Sequence, residues 1–336
     1  MAILVTGGAG YIGAQTVRTL RLRDHDVVVL DDLSRGHPAA VLDAPLVVGS
    51  IADAALVADV IERYRVDAMI HFAARKSVGE SVVDPGRYFD ENVGGTASLL
   101  RTVSAAEVRH VVFSSSAAVY GTPDRVPIGE DAPLRPESPY GESKVLVERM
   151  LPWFERAHGT TAVSLRYFNA AGAAEDGRIG EDFSQTTNLV PLVMKAALGR
   201  SGPLQVFGTD YPTRDGTCVR DYVHVEDLAD AHVLALEHLQ RGGASAALNL
   251  GTGVGATVRE VLETARRVSG VDIPAVDQPR RGGDPAALVA DMARARRLLG
   301  WTPSRSLDEI IRSAWSWHSA HPDGYGQEAV RNTSHS

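Results

Sequence analysis

The sequence predicts an α/β fold: a doubly wound parallel sheet joined to a smaller α/β substrate-binding domain. Two observations carry this. Short β-branched runs alternate with helix-like stretches, and a glycine-rich turn follows the first run. The runs are Ile3 to Thr6, Val27 to Leu30, Ala68 to Phe72, His110 to Ser114, Ala162 to Arg166 and Ala247 to Leu250. They are apolar throughout rather than alternating, as strands covered by helices on both faces must be. Between Gly172 and Gly216 the alternation is lost, and from Gly251 to Gly300 the chain is helix-rich, with Pro and Gly between segments. Residues 1–171, 218–250 and 301–320, including a helix near Ser306 to Ser319, are therefore assigned to the sheet domain. Residues 172–217 and 251–300 form the smaller domain, and 321–336 a frayed polar tail.

Composition narrows the function. Of 336 residues, 44% are hydrophobic and 23% charged, as in an ordinary globular protein. A net charge of −8 disfavours nucleic acid or an anionic membrane, both of which require a basic face, so a small-molecule partner is expected. The single cysteine, Cys218, excludes an intramolecular disulfide, and a first strand starting at Ala2 leaves no room for a signal peptide. Both point to the cytoplasm. No run of about 18 apolar residues suggests a membrane span. The eleven histidines fall in no metal-ligand spacing, so no metal site is expected.

The first strand runs into Gly7-Gly8-Ala9-Gly10-Tyr11-Ile12-Gly13, and a helical pattern follows through Val17 and Leu20. Read from Gly8 the turn is G-x-G-x-x-G, the Rossmann-type spacing. Such glycines let the backbone turn tightly and approach a pyrophosphate at the helix N-terminus. A purely structural turn is the plain alternative. It loses ground because the second strand ends at Asp31, about 20 residues on, where a carboxylate bonds a ribose 2′-hydroxyl and repels a 2′-phosphate. NAD is favoured; Arg35 keeps NADP as the minor alternative. A second cluster, Gly251-Thr252-Gly253-Val254-Gly255, is read as structural, because no acid-ended strand follows it: Asp272 is succeeded by Pro274 in a turn-like stretch.

Ser138-Pro139-Tyr140 reads as a helix start, with Ser138 as N-cap. Tyr140 and Lys144 are then i and i+4, on one helix face. A phenol with pKa near 10 is a poor base, but an adjacent ammonium and a cationic nicotinamide favour the phenolate. The fourth run ends in Phe113-Ser114-Ser115-Ser116, at the carboxyl edge where such sheets place ligands, so Ser116 could hydrogen-bond a reacting hydroxyl. The plain alternatives are an unremarked pair on a helix surface and a serine capping a turn.

These residues occur in one order with His71-Phe72-Ala73-Ala74, Asn92, Ala117-Ala118-Val119-Tyr120-Gly121 and Leu165-Arg166-Tyr167-Phe168-Asn169. In this order the chain resembles the extended short-chain dehydrogenases/reductases and, among them, the UDP-galactose (UDP-glucose) 4-epimerases. The likeness runs from residue 2 to about residue 317. Lys76-Ser77-Val78-Gly79-Glu80-Ser81, Gly177-Arg178-Ile179-Gly180-Glu181 and Gly216-Thr217-Cys218-Val219-Arg220-Asp221-Tyr222 make it specific.

The resemblance implies NAD-dependent 4-epimerisation of a UDP-hexose through a 4-keto intermediate. It implies Tyr140 as the base, Ser116 as its hydroxyl relay, and Lys144 as the residue that binds the nicotinamide ribose and lowers the tyrosine pKa. Gly7, Gly10, Tyr11, Ile12, Gly13, Asp31, Ile51, Phe72, Ala73, Lys76, Asn92, Ser114 and Tyr167 join Tyr140 and Lys144 in the NAD site. On the nucleotide-sugar side it implies Asn169, Asn188 and Leu189 at the diphosphate and sugar, Phe207 packed on uracil, and Gln205 among the substrate-binding residues. Arg220 and Arg281 grip phosphates, Asp284 the uridine ribose, and Leu288 forms the sugar-pocket wall. Many members limited to UDP-glucose and UDP-galactose carry tyrosine at that last position, and those accepting UDP-GlcNAc and UDP-GalNAc a smaller residue.

A homodimer through the helices near Asn92 to Val103 and Ser143 to His158 is also implied. Leu99, Leu100, Val103, Leu146 and Met150 are its apolar stripe, with packing on the sheet as the plain alternative. Two departures stand out. Gly49-Ser50-Ile51 replaces the usual Gly-Asp-Ile, so the adenine contact is weaker or falls to Asp53; and Arg75, in place of an apolar residue, has no assigned role. The rival readings are a 4-epimerase of UDP-glucuronate or a UDP-pentose, a nucleotide-sugar 4,6-dehydratase, and a non-catalytic NAD-binding protein. The dehydratase needs Asp-Glu where Ala117 and Ala118 stand.

Overall fold

The computed structural model describes residues 1–183 and 186–326. Seven strands form its main sheet: β1 (Ala2–Thr6), β2 (Asp26–Asp31), β3 (Leu46–Val48), β4 (Val66–His71), β5 (His110–Ser116), β6 (Thr161–Tyr167) and β7 (Ala246–Leu250). They are all parallel and lie in the order 7-6-5-4-1-2-3. The chain winds outward from β1 to β3, returns to β4 beside β1, and winds the other way to β7. The order therefore reverses between β1 and β4, and the crevice at their carboxyl ends is where such a sheet binds ligands. β3 is absent from the six apolar runs because it is a short edge strand ending in the exposed Val48.

Successive side chains of a strand point to opposite faces, so a sheet buried on both sides needs apolar residues at every position. Ile3 and Val5 meet Val17 and Leu20 of the helix Tyr11–Leu22 and Leu228 and Leu236 of Val225–Gln240. On the other face Leu4, Val28, Met69 and Val111 meet Val57 and Ile61 of Ala54–Tyr64, Leu99 and Val103 of Gly95–Ala105, and Val147 and Leu151 of Pro139–His158. Truncating a side chain as buried as Leu4 to alanine costs about 2–5 kcal/mol. The stripe read as a docking face thus has another use. Leu99, Leu100 and Val103 are fully buried against the sheet, Met150 is partly buried there, and only Leu146 and Met150 keep some exposure.

A second core gathers Val193, Met194, Leu204, Val206, Val261, Leu262 and Ile273. Around it Leu204–Phe207 pairs in parallel with Ala275–Gln278, and Val219–Arg220 lies between Ala256–Thr257 and Ala287–Leu288. The helix Leu307–Ala320 was assigned to the sheet domain, yet its Ile310, Ile311 and Ala314 pack in this second core. Its apolar face meets the helices Val258–Ser269 and Leu189–Ala197. Conversely, Ala295 and Trp301 pack on the sheet core, although Ala295 fell in the stretch assigned to the smaller domain. The tail reading falls mostly on 327–336, outside the described residues. Within 321–326, Tyr325 is held by hydrogen bonds to Gly180 rather than frayed. Among the described residues no helix is long and apolar enough to cross a membrane.

Candidate active site

The site begins with the turn after β1. Gly7 has φ +70°, and a Cβ there would stand 2.5 Å from the Ala73 nitrogen, so the turn and the loop after β4 can touch only through glycine. At Gly13 a Cβ would lie 2.2 Å from the Gly7 carbonyl oxygen. Gly10 differs: a Cβ would meet only that oxygen, at 3.4 Å, so the protein's own packing leaves room there. It caps a helix, Tyr11–Leu22, that has no side-chain cap and no acid in its first turn. The leading N–H groups and the positive end of the helix dipole are thus left for an anion. Asp31 accepts the Ala9 N–H and the Leu33 N–H, each at 2.9 Å. Burial raises its pKa while these two bonds oppose the rise.

These elements line a cleft of about 800 Å³. Every residue expected at NAD lines it: Gly7, Gly10, Tyr11, Ile12, Gly13, Asp31, Ile51, Phe72, Ala73, Lys76, Asn92, Ser114, Tyr140, Lys144 and Tyr167. Ser50 lines it too, whereas Asp53 does not: its carboxylate caps the helix Ala54–Tyr64 through the Ala55 and Leu56 N–H groups at 3.1 and 3.0 Å. Arg75, which the sequence left without a role, forms an ion pair with Glu91 at 2.6 Å on the cleft wall. Asn92 grips its backbone from both sides, accepting the Arg75 N–H at 2.8 Å and donating to its carbonyl at 3.0 Å. The second glycine cluster is occupied internally. The buried Asp221 carboxylate accepts the N–H groups of Thr252 and Gly253 at 2.6 and 2.9 Å.

The reacting end of the cleft lies against Pro139–His158. Ser138 caps this helix, accepting the Gly141 N–H at 3.1 Å. Lys144 is buried and donates to the Ser114 carbonyl at 2.8 Å, with its ammonium 5.9 Å from the Tyr140 ring centroid. Burial lowers its pKa to about 7, against the pull of Glu148. Burial raises the Tyr140 pKa, and a hydrogen bond with Ser116 opposes this. Ser116 also accepts the Ala118 N–H at 3.2 Å. The Tyr167 hydroxyl is hydrogen-bonded to Ser114 Oγ.

Sequence reasoning missed two carboxylates. Glu148, nearly buried, binds Arg166 at 2.5 Å and accepts from Ser115 Oγ at 2.5 Å, beneath the Tyr140–Lys144 face. Its signal was spacing, since it follows Lys144 by one more i, i+4 step. Glu181 lines the cleft and accepts from Asn188 Nδ2 at 2.8 Å, with Lys76 Nζ at 3.5 Å.

Of the residues assigned to the nucleotide sugar, Asn188 alone lines the cleft. Ser116 ends β5, and Asn169 opens the strand Asn169–Ala171, which pairs with Tyr222–His224. Leu189 begins the next helix. Gln205 and Phe207 lie on one strand; Gln205 is exposed, its amide donating to the Pro203 carbonyl at 3.0 Å. The Arg281 guanidinium sits 3.7 Å from the Phe207 ring centroid, on a face of the ring expected to take uracil. Arg220 is paired with Asp284 at 3.2 Å, and Leu288 stands in register with Arg220. The structure thus brings Phe207 together with Arg281, and Arg220 together with Asp284 and Leu288.

Residues 3–251 match the NAD dependent epimerase/dehydratase family. The chain is 49% identical over 329 residues to the UDP-glucose 4-epimerase of Halalkalibacterium halodurans, covering 98% of each chain. It superposes on the UDP-glucose 4-epimerase from Brucella ovis in complex with NAD with a TM-score of 0.92 at 48% identity, covering 94% of this chain and 97% of that one. For the UDP-glucose 4-epimerase from Bifidobacterium longum in complex with NAD+ and UDP the TM-score is 0.91 at 39% identity, covering 97% and 100%. With the glycine turn, the acid at the end of β2 and the Tyr140–Lys144 face all in one cleft, the chain belongs to the NAD dependent epimerase/dehydratase family, among the UDP-glucose 4-epimerases.

Proposed function

We propose that the chain interconverts UDP-glucose and UDP-galactose, holding NAD in the cleft and the nucleotide sugar between the cleft and the second core. The observation that carries this is one helix face at the cleft: the buried Tyr140 and the buried Lys144, its ammonium 5.9 Å from the Tyr140 ring centroid, with Ser116 at the end of β5. The residues present fit NAD. Gly10 leaves space where packing demands none, an uncapped helix N-terminus faces that space, and Asp31 stands at the end of β2 to favour a free 2′-hydroxyl. NAD, when bound, supplies a hydride acceptor and donor for C4 of the sugar.

The chain's own residues handle the proton. Tyr140 takes the 4-hydroxyl proton, with Ser116 as relay, and returns it to the oxygen after the sugar has presented its other face. Burial holds the phenol protonated, so this step needs positive charge nearby; the role of supplying it is assigned to Lys144, whose side-chain nitrogen lies 5.9 Å from the ring centroid, and to the cationic nicotinamide that NAD would bring. Lys144 is itself held on the cleft wall by the Ser114 carbonyl. One acid/base suffices for epimerisation. A dehydratase needs further acids, and the turn after Ser116 carries Ala117 and Ala118.

The proposal includes a cytoplasmic location, which the lone buried thiol of Cys218 suits. It also includes a homodimer. Val82, Val83 and Trp153 stand exposed on Val78–Val83 and Pro139–His158, two helices that contact each other, and a partner subunit would cover them. The test is to give purified protein UDP-galactose with neither reductant nor NAD added. UDP-glucose forms without net NADH if the reading holds; no product, or a strict need for added NADP, overturns it. Sedimentation of the same preparation at micromolar concentration checks the dimer, and a monomer refutes it.

A further inference from the structure

We infer that Tyr325, in the segment after the last helix, completes the cofactor site and sets how long NAD stays bound. This rests on the NAD reading of the cleft and adds a wall that neither the glycine turn nor the Tyr140 helix supplies. Tyr325 lines the same cleft as Gly10, Asp31 and Lys144. Its hydroxyl donates to the Gly180 carbonyl at 2.9 Å and accepts the Gly180 N–H at 3.1 Å, occupying both polar groups of one residue. That residue has to be glycine, because a Cβ would lie 2.2 Å from Cγ of Trp317. The loop at Gly180 is thus clamped between the Trp317 indole and the Tyr325 hydroxyl.

The ring of Tyr325 makes the second connection. It stacks on His37, with centroids 4.7 Å apart and planes 22° from parallel. His37 belongs to the loop after β2, and its N–H donates to the Ala9 carbonyl of the glycine turn at 2.9 Å. Its Nε2 lies 3.0 Å from an Asp182 carboxylate oxygen, two residues beyond Gly180. One phenol therefore ties the loop that follows Asp31 to the loop that enters the second core, across the cleft they both line. A ligand seated on the glycine turn leaves only when such walls part, so each contact broken on opening slows release. Among the described residues no hydrogen bond or ring contact joins Tyr325 to Tyr140, Ser116 or Lys144. It is a positioning residue that acts on NAD retention through the two loops it joins.

The experiment compares full-length wild type with Tyr325→Phe, which loses both hydroxyl bonds but keeps the ring, and with Tyr325→Ala, which loses both. NAD release is timed by passing loaded protein into cofactor-free buffer and assaying the NAD that remains. Release is expected to quicken a few-fold in Tyr325→Phe and on the order of tenfold or more in Tyr325→Ala. The NAD-free Tyr325→Phe protein should melt within a few degrees of wild type, so that faster release is read apart from a general loss of stability. Release rates equal to wild type overturn the inference. So does a loss of NAD matched by an equal loss of NAD-free stability, because that marks a general structural role. Wild-type protein that never holds NAD overturns the cofactor reading itself, an outcome distinct from either.

Discussion

The cofactor half and the nucleotide-sugar half of this molecule differ in what their polar groups do before any ligand arrives. In the cofactor half each key group is anchored from behind. Lys144 hangs from the Ser114 carbonyl, Asn92 clasps the Arg75 backbone, and Asp31 is pinned by two N–H groups. These anchors are backbone groups of the sheet edge and its loops, so the fold itself fixes the site. In the sugar half the arginines are engaged with other members of the same set. Arg220 holds Asp284, and Arg281 covers Phe207. A ligand binding there must exchange those contacts for its own, which subtracts from its affinity. The asymmetry suits a group that stays and a group that must leave after every turnover.

The sharpest way to break this comparison is at the reacting oxygen. Tyr140→Phe removes the titrating group and leaves the ring that packs beside Lys144, so epimerisation should fall by roughly 10²–10⁴-fold. Bound NAD should be retained, because the anchors of the cofactor half are untouched. If the variant keeps activity within tenfold of wild type, another group is the base; if it loses NAD, the cofactor half is less independent than its anchors indicate.

Lys144 sharpens the comparison through stability. Burial lowers its pKa from 10.5 to about 7, so in the NAD-free protein the folded state binds this proton less well than the unfolded chain does. Between pH 7 and 10.5 the unfolded chain carries more protons, and the linkage makes stability rise with pH across that window. Below pH 7 the cost of the buried charge is fully present. Lys144→Met should therefore melt higher than wild type at and below pH 7, by an increment on the order of a few kcal/mol, with the gap closing toward pH 10.5. Denaturant titrations of NAD-free protein across this range measure it. A gap that is flat with pH rules out the ammonium as its cause. Such a cost is what a site selected for chemistry rather than stability carries.

How much of this was legible in the sequence follows from how local each signal is. The glycine turn, Asp31 and the Tyr140–Lys144 pair are encoded in spacings along single elements, and all of them line the cleft as expected. The helix Leu307–Ala320 was found, with its start written in the Ser306 and Glu309 capping box, but not the core it joins. Which apolar surface a helix covers depends on what its neighbours leave bare, and no window of sequence holds that. Leu99 and Val103 show the same limit, because an i, i+4 stripe looks alike whether it faces a sheet or a partner. Tyr325 was the least legible. It sits 145 residues from the glycine it grips, in a polar stretch whose composition reads as frayed.

The mildest test falls on Leu288, the proposed wall of the sugar pocket. Leu288 stands in register with Arg220 and is half-buried against the cluster that holds Ala117, Val119, Tyr120 and Phe168, immediately past the Ser116 turn. A leucine in that place contributes an isobutyl group where a phenol ring would reach several ångströms farther, a length on the order of one acetamide group. The difference lies in the sugar half, so it should alter which sugar is accepted and leave the anchored cofactor half as it is. Wild type is therefore expected to interconvert UDP-GlcNAc and UDP-GalNAc at a rate within about tenfold of the unsubstituted pair. Leu288→Tyr should remove that activity selectively, with roughly 1–3 kcal/mol of discrimination, and keep both NAD and the unsubstituted reaction. The competing possibility is structural: Leu288 already contacts the Ala117 cluster, and if the side chain is wholly spent on that packing it opens no space. Steady-state rates on the four sugars decide between them. Wild type that is inert toward UDP-GlcNAc while fully active on UDP-galactose assigns Leu288 to the cluster, and a tyrosine variant that loses all four activities together does the same, because an overpacked cluster would disturb the adjoining Ser116 turn whatever the sugar.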